Sequence, residues 1–319
     1  QYHGAGQKPE CGRATAQGLW IGLLTWPLGL ALVPFGFWLL SVAGHPADVL
    51  AAEKIYLGIL MLGCGFWAMG NAASGFFSGR GDTRTPMIAH ILSNLANIAL
   101  DYALIFGRWG FPEWGIAGAA VATVISSALG LAVLLALYFR KEFREEYATW
   151  TGQRLDWRLM APLLRYGVPS SINSLQDVGA FTFFVVLLGR LPAADMAASN
   201  NVAFMPLLGM GMAATILVGQ YQGARKAATA ERAGITALKI GWAYMGFIAL
   251  TFVLFPQPYF ALFTGDAPGM VTLGEVLAKG RWLLAMMAIW GLLDAINLIV
   301  GGALKGAGDT RFVLVYSAL

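Results

Sequence analysis

Long apolar runs alternate with short polar breaks along all 319 residues of the chain. In order, the apolar spans cover Gly18–Val42, Ile55–Phe77, Pro86–Phe106, Gly115–Phe139, Leu159–Leu191, Ala193–Val218, Gly234–Phe255 and Val276–Ala303. Each holds about 20 residues or more, the length a helix needs to cross a hydrocarbon core of about 30 Å. Without water to satisfy backbone N–H and C=O groups, such runs must close their hydrogen bonds internally. The pattern therefore predicts an all-α integral membrane protein with about eight complete spans. Residues 1–17 read as a loop, Pro256–Leu273 as a Pro- and Gly-bearing loop, and Arg140–Arg158 as a solvated connector carrying both signs of charge. A ninth span opens at Phe312.

Composition sharpens this picture. Only 12% of residues are charged and the mean hydropathy is +0.64, whereas a soluble domain carries about 25% charged residues. The basic pI carries no nucleic-acid signal, because the Lys and Arg residues are sorted by side. With alternating crossings, fifteen fall on the side of the N-terminal loop, the Arg80 and Arg311 loops and the connector. Five fall on the other side, and Arg165 lies just inside the fifth span. That bias places the first set of loops in the cytoplasm. Cys11 and Cys64 show no metal or redox spacing.

Two short motifs occur twice. Gly79-Arg80-Gly81-Asp82-Thr83-Arg84 returns as Gly306-Ala307-Gly308-Asp309-Thr310-Arg311, 227 positions later. Gln1-Tyr2-His3-Gly4-Ala5 returns as Gln220-Tyr221-Gln222-Gly223-Ala224, 219 positions later. Nearly equal offsets indicate an internal duplication of about 220 residues. Six spans separate the GDTR copies, so the halves are expected to be parallel repeats, a design whose substrate sites lie near mid-membrane. The expected organisation is an incomplete N-terminal lobe over residues 1–139, a connector over 140–158 and an incomplete C-terminal lobe over 159–319. The chain opens inside a motif and closes inside an apolar run, so a fragment of a longer protein is expected.

Three carboxylates stand inside apolar spans: Asp101, Asp177 and Asp294. Such a group costs about 2.5–3.5 kcal/mol on insertion scales and marks a functional position by default. A carboxylate kept from water can take up and release a proton near neutral pH, and a facing pair such as Asp177 and Asp294 can hold Na⁺ through its oxygens. Each has an amide neighbour on its own helical face: Asn97 beside Asp101, Asn173 beside Asp177, Asn297 beside Asp294, with Gln176 extending the set around Asp177. Such pairs serve an ion site, and they equally serve a carboxylate held for structural reasons. Met205, Met210 and Met212 near Phe204 suit a wall for flat apolar molecules, or simply contact with lipid. Asn200 and Asn201 suit helix–helix hydrogen bonds.

Gly79, Gly81, Asp82 and Thr83, with their counterparts Gly306, Gly308, Asp309 and Thr310, read differently. They stand just before a helix, where Asp or Thr caps exposed N–H groups. No nucleotide-binding loop, metal-ligand cluster or Ser/His/Asp arrangement is spelled out, so the chain is not expected to be an enzyme, to carry a cofactor, to bind nucleic acid or to need an ATPase partner. An ion gradient, Na⁺ or H⁺, is the expected energy source.

These motifs resemble the multidrug and toxic compound extrusion (MATE) family across essentially the whole chain. The resemblance rests on the Gly-x-Gly-Asp-Thr turns and on Asn97-Ile98-Ala99-Leu100-Asp101 followed by Gly115-Ile116-Ala117-Gly118-Ala119-Ala120. It rests equally on Tyr166-Gly167-Val168-Pro169 and on Val218-Gly219-Gln220-Tyr221-Gln222-Gly223-Ala224. It implies two six-helix lobes around a V-shaped cavity in a bacterial inner membrane, exchanging organic cations or amphipathic drugs for Na⁺ or H⁺. Asp101 matches the family's N-lobe carboxylate, although Tyr102 stands where Pro often follows. Asp177 matches the acidic position eight residues after the seventh-helix Pro, and Asp294 that of the tenth helix. On this resemblance the first helix, most of the second and the C-terminal end are missing. The alternative within the same superfamily is a flippase for a lipid-linked substrate. It would want a basic cavity, whereas the mid-membrane charges are acidic.

Overall fold

The computed structural model describes residues 1–42, 44–188, 201–261 and 273–318, with side chains at 181, 183–188, 201–204, 259–280, 283 and 318 left aside. The outer ends of the fifth and sixth spans, Asn200 and most of the Pro256–Leu273 loop lie outside the described residues, as do the side chains of Asn201 and Phe204. The described chain is helical, without strands, and divides into two compact units. One comprises Tyr2 and Gly6–Leu163, the other Gln1, His3–Ala5 and Leu164–Leu319.

The first unit contains α1 (Lys8–Val42), α2 (Ala47–Gly79), α3 (Arg84–Ile105), α4 (Gly115–Tyr138) and the short α5 (Lys141–Glu146). Helix α2 packs on α1 and α4, and α4 on α3. Pro27 and Pro34 sit inside α1, which continues through both. Helices approach closely where side chains are small: a methyl group at Gly22 would meet the Met69 backbone at 2.8 Å. The core at the α2 and α4 ends is largely aromatic, with Phe76, Phe77, Tyr138 and Tyr147 packed around Leu134.

Two expectations are corrected here. Residues 1–17 are not a loop throughout, because α1 begins at Lys8. Arg140–Arg158 is not a freely solvated connector. It forms α5 and then folds against α1: Trp20 Nε1 donates to Gln153 O at 2.8 Å, and a methyl group at Gly12 would strike the Tyr147 carbonyl. Gln17, fully buried, donates to Arg154 O at 2.9 Å and accepts the Asp156 N–H at 3.0 Å. Lys8 pairs with Glu146. The segment's polar composition concealed Phe143 and Tyr147, whose rings pack on Phe76.

Helix α6 (Trp157–Leu188) enters the second unit, followed by α7 (Asn201–Gly223), α8 (Ala227–Leu254), α9 (Pro256–Ala261), α10 (Leu273–Ala307) and α11 (Thr310–Ala318). Helix α10 packs against α7 and α8 around Leu207, Ala214, Met245, Ala295 and Ile299. The α7–α10 contact is tight because its residues are small. Thr215 Oγ1 donates to Gly302 O at 2.8 Å, and a methyl group at Gly306 would collide with the Thr215 carbonyl. Within the same unit, Gln1 and Gly4 of the first Gln-Tyr-x-Gly-Ala copy pack reciprocally against Gly223 and Gln220 of the second. A methyl group at Gly4 would strike the Gln220 carbonyl, and one at Gly223 would strike the Gln1 carbonyl. Gln1 Nε2 also donates to Gly306 O at 3.2 Å.

By length and composition, α1, α2, α3, α4, α8 and α10 can cross a membrane among the described residues. Helices α6 and α7 border the undescribed residues 189–200. The architecture is that of an all-α integral membrane protein.

Candidate functional site

The repeated turns show how closely the halves match at atomic detail. After α2, Gly81 N–H donates to Ser78 O at 2.9 Å and Asp82 N–H to Phe77 O at 3.1 Å. After α10, Gly308 N–H donates to Lys305 O at 3.1 Å and Asp309 N–H to Leu304 O at 3.0 Å. Both are Schellman closures, in which a left-handed residue satisfies the last helix carbonyls. Gly81 and Gly308 hold φ of 87° and 99°, where a side chain is strained. The aspartates then cap the next helix: Asp82 Oδ1 accepts Thr85 N–H at 3.1 Å, and Asp309 Oδ1 accepts Phe312 N–H at 3.2 Å. Thr85 Oγ1 donates to Asp82 Oδ2 at 2.6 Å. Partial burial alone would raise the Asp82 pKa. The Thr85 bonds and the nearby Arg80 outweigh it and hold the carboxyl below its ordinary value.

Arg80 does more than decorate a loop. Its guanidinium lies over Phe143 at 4.3 Å, Phe76 at 4.6 Å and Tyr147 at 4.9 Å. That aromatic cage ties the turn after α2 to the segment after α4, and nothing in the sequence pattern singled it out.

In the first unit, α3 carries Asn97 and Asp101 one turn apart. Asn97 Nδ2 and Asp101 Oδ1 are both buried and both lack a hydrogen-bond partner. Asn97 therefore does not satisfy the carboxylate beside it. An unsatisfied buried polar atom costs about 1–3 kcal/mol, so the pair adds no stability through these two atoms.

In the second unit, the polar residues join into a ladder across three helices. Lys305 Nζ of α10 donates to Asn173 Oδ1 of α6 at 2.6 Å. Asn173, only 4% exposed, donates through Nδ2 to Ser317 Oγ of α11 at 2.8 Å. Ser317 Oγ stands 3.2 Å from Gln176 Oε1. Asp177, one turn beyond Asn173, is exposed on α6 and lies within electrostatic reach of both Lys305 and Asp294. Asp294 is half-buried on α10, with Asn297 in hydrogen-bonding reach and Oδ2 buried without a partner.

The structure thus gathers Asn173, Gln176, Asp177, Asp294 and Asn297 into one unit, with Asn97 and Asp101 in the other. Among the described residues, no three His, Cys, Asp or Glu side chains cluster as metal ligands. Carboxylate and amide oxygens from α6 and α10 suit a small monovalent cation. Met205 and Met212 are exposed, and Met210 packs against the α7–α10 core. Lys305 and Ser317 escaped the sequence reading. Lys305 counted there as a loop charge because it immediately precedes the repeated turn; its place at the end of an apolar run was the available signal.

Comparison with known proteins identifies the family of the chain and of its fold. The MatE family model matches residues 1–103 and 169–319. A probable multidrug resistance protein NorM of Thermotoga maritima is 30% identical over 96% of this chain and 66% of its own length. Its counterpart in Bradyrhizobium diazoefficiens is 32% identical over 100% of this chain and 69% of its own. A crystal structure of a MATE protein in complex with MaL6 superposes with a TM-score of 0.84 at 21% identity, covering 99% of this chain and 70% of that one. The chain therefore spans about two thirds of the length of the relatives it matches.

Proposed function

Because the chain belongs to the MatE family, multidrug and toxic compound extrusion transporters, we propose that the intact protein is a cation-coupled antiporter exporting organic cations and amphipathic drugs. The single observation that carries the reading is Asp294, a carboxylate inside an apolar helix with one oxygen buried and unpartnered. Asp177 sits within its electrostatic reach. A cation, H⁺ or Na⁺, would satisfy those oxygens, and Asn173, Gln176 and Asn297 would complete its coordination. Asn97 and Asp101 would form a separate polar site on α3. The ion drives export only as far as it binds the drug-releasing state better than the drug-loading state. In this reading the GDTR turns and the Arg140–Arg158 segment face the cytoplasm, in keeping with the distribution of Lys and Arg, and no cofactor or ATPase takes part.

One observation favours the flippase alternative: Lys305 places an ammonium within the polar ladder. A single cation beside two carboxylates is a poor cradle for a pyrophosphate, so the antiporter reading stands ahead.

The test is efflux of ethidium from cells expressing the full-length parent, under separately imposed Na⁺ and pH gradients. Efflux should follow one gradient, and Asp177→Asn and Asp294→Asn should each abolish it at unchanged membrane levels. Efflux surviving in both variants would remove the ion site from α6 and α10. Lipid scrambling indifferent to Asp177→Asn, with no efflux under either gradient, would establish the flippase.

A further inference from the structure

The polar ladder of the second unit already contains a positive charge. Lys305 is the last cation on α10, half-buried, and its ammonium is 2.6 Å from Asn173 Oδ1. Its acceptor is itself held in place, because Asn173 is buried and donates through Nδ2 to Ser317 Oγ at 2.8 Å. Lys305 follows Asp294 by eleven residues, about three helical turns, so both lie on one face of α10 roughly 16 Å apart. Asn173 precedes Asp177 by one turn on α6. The side chains therefore form a sequence from the α10 end inward: ammonium, amide, then the Asp177 carboxylate, with Asp294 within its electrostatic reach.

A Lys side chain is long, flexible and tipped with a compact point charge. Hydrogen-bonded to a neutral amide rather than to a carboxylate, it remains free to compensate a carboxylate one turn away. An external cation approaching Asp177 meets this charge as a competitor. We propose that Lys305 is a tethered internal cation, held by Asn173 beside Asp177, and that it sets how tightly external cations bind in this unit. The inference deepens the cation-binding reading given above and rests on it. Lys305 is here a positioning and specificity residue, acting through Asn173 and the charge of Asp177.

Binding of tetraphenylphosphonium to the purified full-length parent tests it, in buffer free of Na⁺ at one fixed pH. The variants are Lys305→Gln, which keeps a donor for Asn173, Lys305→Met, which keeps the length, and Lys305→Arg, which keeps the charge. Both neutral variants should bind the probe on the order of 10-fold more tightly, the effect of removing one like charge roughly 10 Å away at an effective dielectric near 20. Lys305→Arg should stay within about twofold of wild type, since it restores the charge at similar reach. A merely structural lysine would weaken binding or leave it unchanged when neutralised, and Arg would then rescue only the melting temperature. Unchanged or weaker binding in Lys305→Gln and Lys305→Met, with wild type binding normally, overturns this inference and leaves the efflux reading intact. Failure of both neutral variants to fold makes the ammonium structural and overturns it as well. No binding by wild type or any variant overturns both readings together.

Discussion

Gln17 holds Asp156 by its backbone: Gln17 Oε1 accepts the Asp156 N–H at 3.0 Å while Gln17 Nε2 donates to Arg154 O at 2.9 Å. The amide is fully buried, so one α1 side chain satisfies two peptide groups of the segment that leads into α6. Gln17→Leu fills the space and leaves both peptide groups unpaired, at a cost of about 1–3 kcal/mol for each group. The expected outcome is a lower melting temperature and faster proteolysis within residues 147–156. Wild-type protease resistance in the variant would show that the clamp is dispensable.

Arg80 tests the aromatic cage on the same segment. Its planar guanidinium stacks on several rings at once, which an ammonium cannot reproduce. Each desolvated contact of this kind is worth about 0.5–2 kcal/mol. Arg80→Lys should therefore destabilise nearly as much as Arg80→Met, read as melting temperature in detergent. Full rescue by Lys would reduce the cage to a simple charge effect.

The Asp82 cap carries a pH signature. Its carboxyl is held below the ordinary value by Thr85 and Arg80 against the opposing effect of burial. A depressed folded-state pKa stabilises fully above the unfolded value of about 3.9, and the contribution disappears as pH falls through the lower folded value. Asp82→Asn preserves a capping oxygen and removes the titration. The melting-temperature gap between wild type and Asp82→Asn should be constant from pH 7 to about 5 and should close below about 4. A gap independent of pH down to 3 would show that the charge adds nothing to the cap.

The number and order of the long helices were legible because lipid demands unbroken apolar runs, and no other signal in the chain is as strong. Their ends were not. Helix α1 starts at Lys8 and α8 at Ala227, well outside the apolar spans that announced them. Hydropathy registers what faces lipid, whereas the openings of these helices carry polar and charged residues such as Lys8, Glu10 and Glu231. The GDTR turns were legible in geometry as well as position, since positive φ at Gly81 and Gly308 admits few other residues. The folding of Arg140–Arg158 onto α1 was not, because its partner Gln17 lies 139 positions before Asp156 and no local pattern encodes such a distance. For the polar ladder, spacing within a helix paired Asn173 with Asp177. Only tertiary packing could bring Lys305 and Ser317 to them.

Gly306 and Thr215 define how closely α7 and α10 can approach. A methyl group at Gly306 would enter the space of the Thr215 carbonyl, which belongs to a helix backbone and cannot rotate away. Overpacking of this kind typically costs about 1–3 kcal/mol. Gly306→Ala should lower the melting temperature and expression, whereas Gly79→Ala at the equivalent turn, where a methyl group meets nothing within 4 Å, should cost little. Equal losses at both positions would trace the effect to the shared turn rather than to the α7–α10 contact.

Asn97 separates stability from function most sharply. Its Nδ2 and the Asp101 Oδ1 are buried without partners, so the pair is a standing cost to the fold rather than a source of stability. Asn97→Leu replaces the amide with an apolar side chain of similar volume and removes one unsatisfied donor, which is worth about 1–3 kcal/mol when buried. The variant should melt at or above the wild-type temperature, and ethidium efflux by the full-length parent should fall. That combination is the mark of a residue kept for what it binds, since functional sites are where stability is given up. A lower melting temperature with efflux unchanged would instead make Asn97 a structural amide, and Asp101 would then have to act alone.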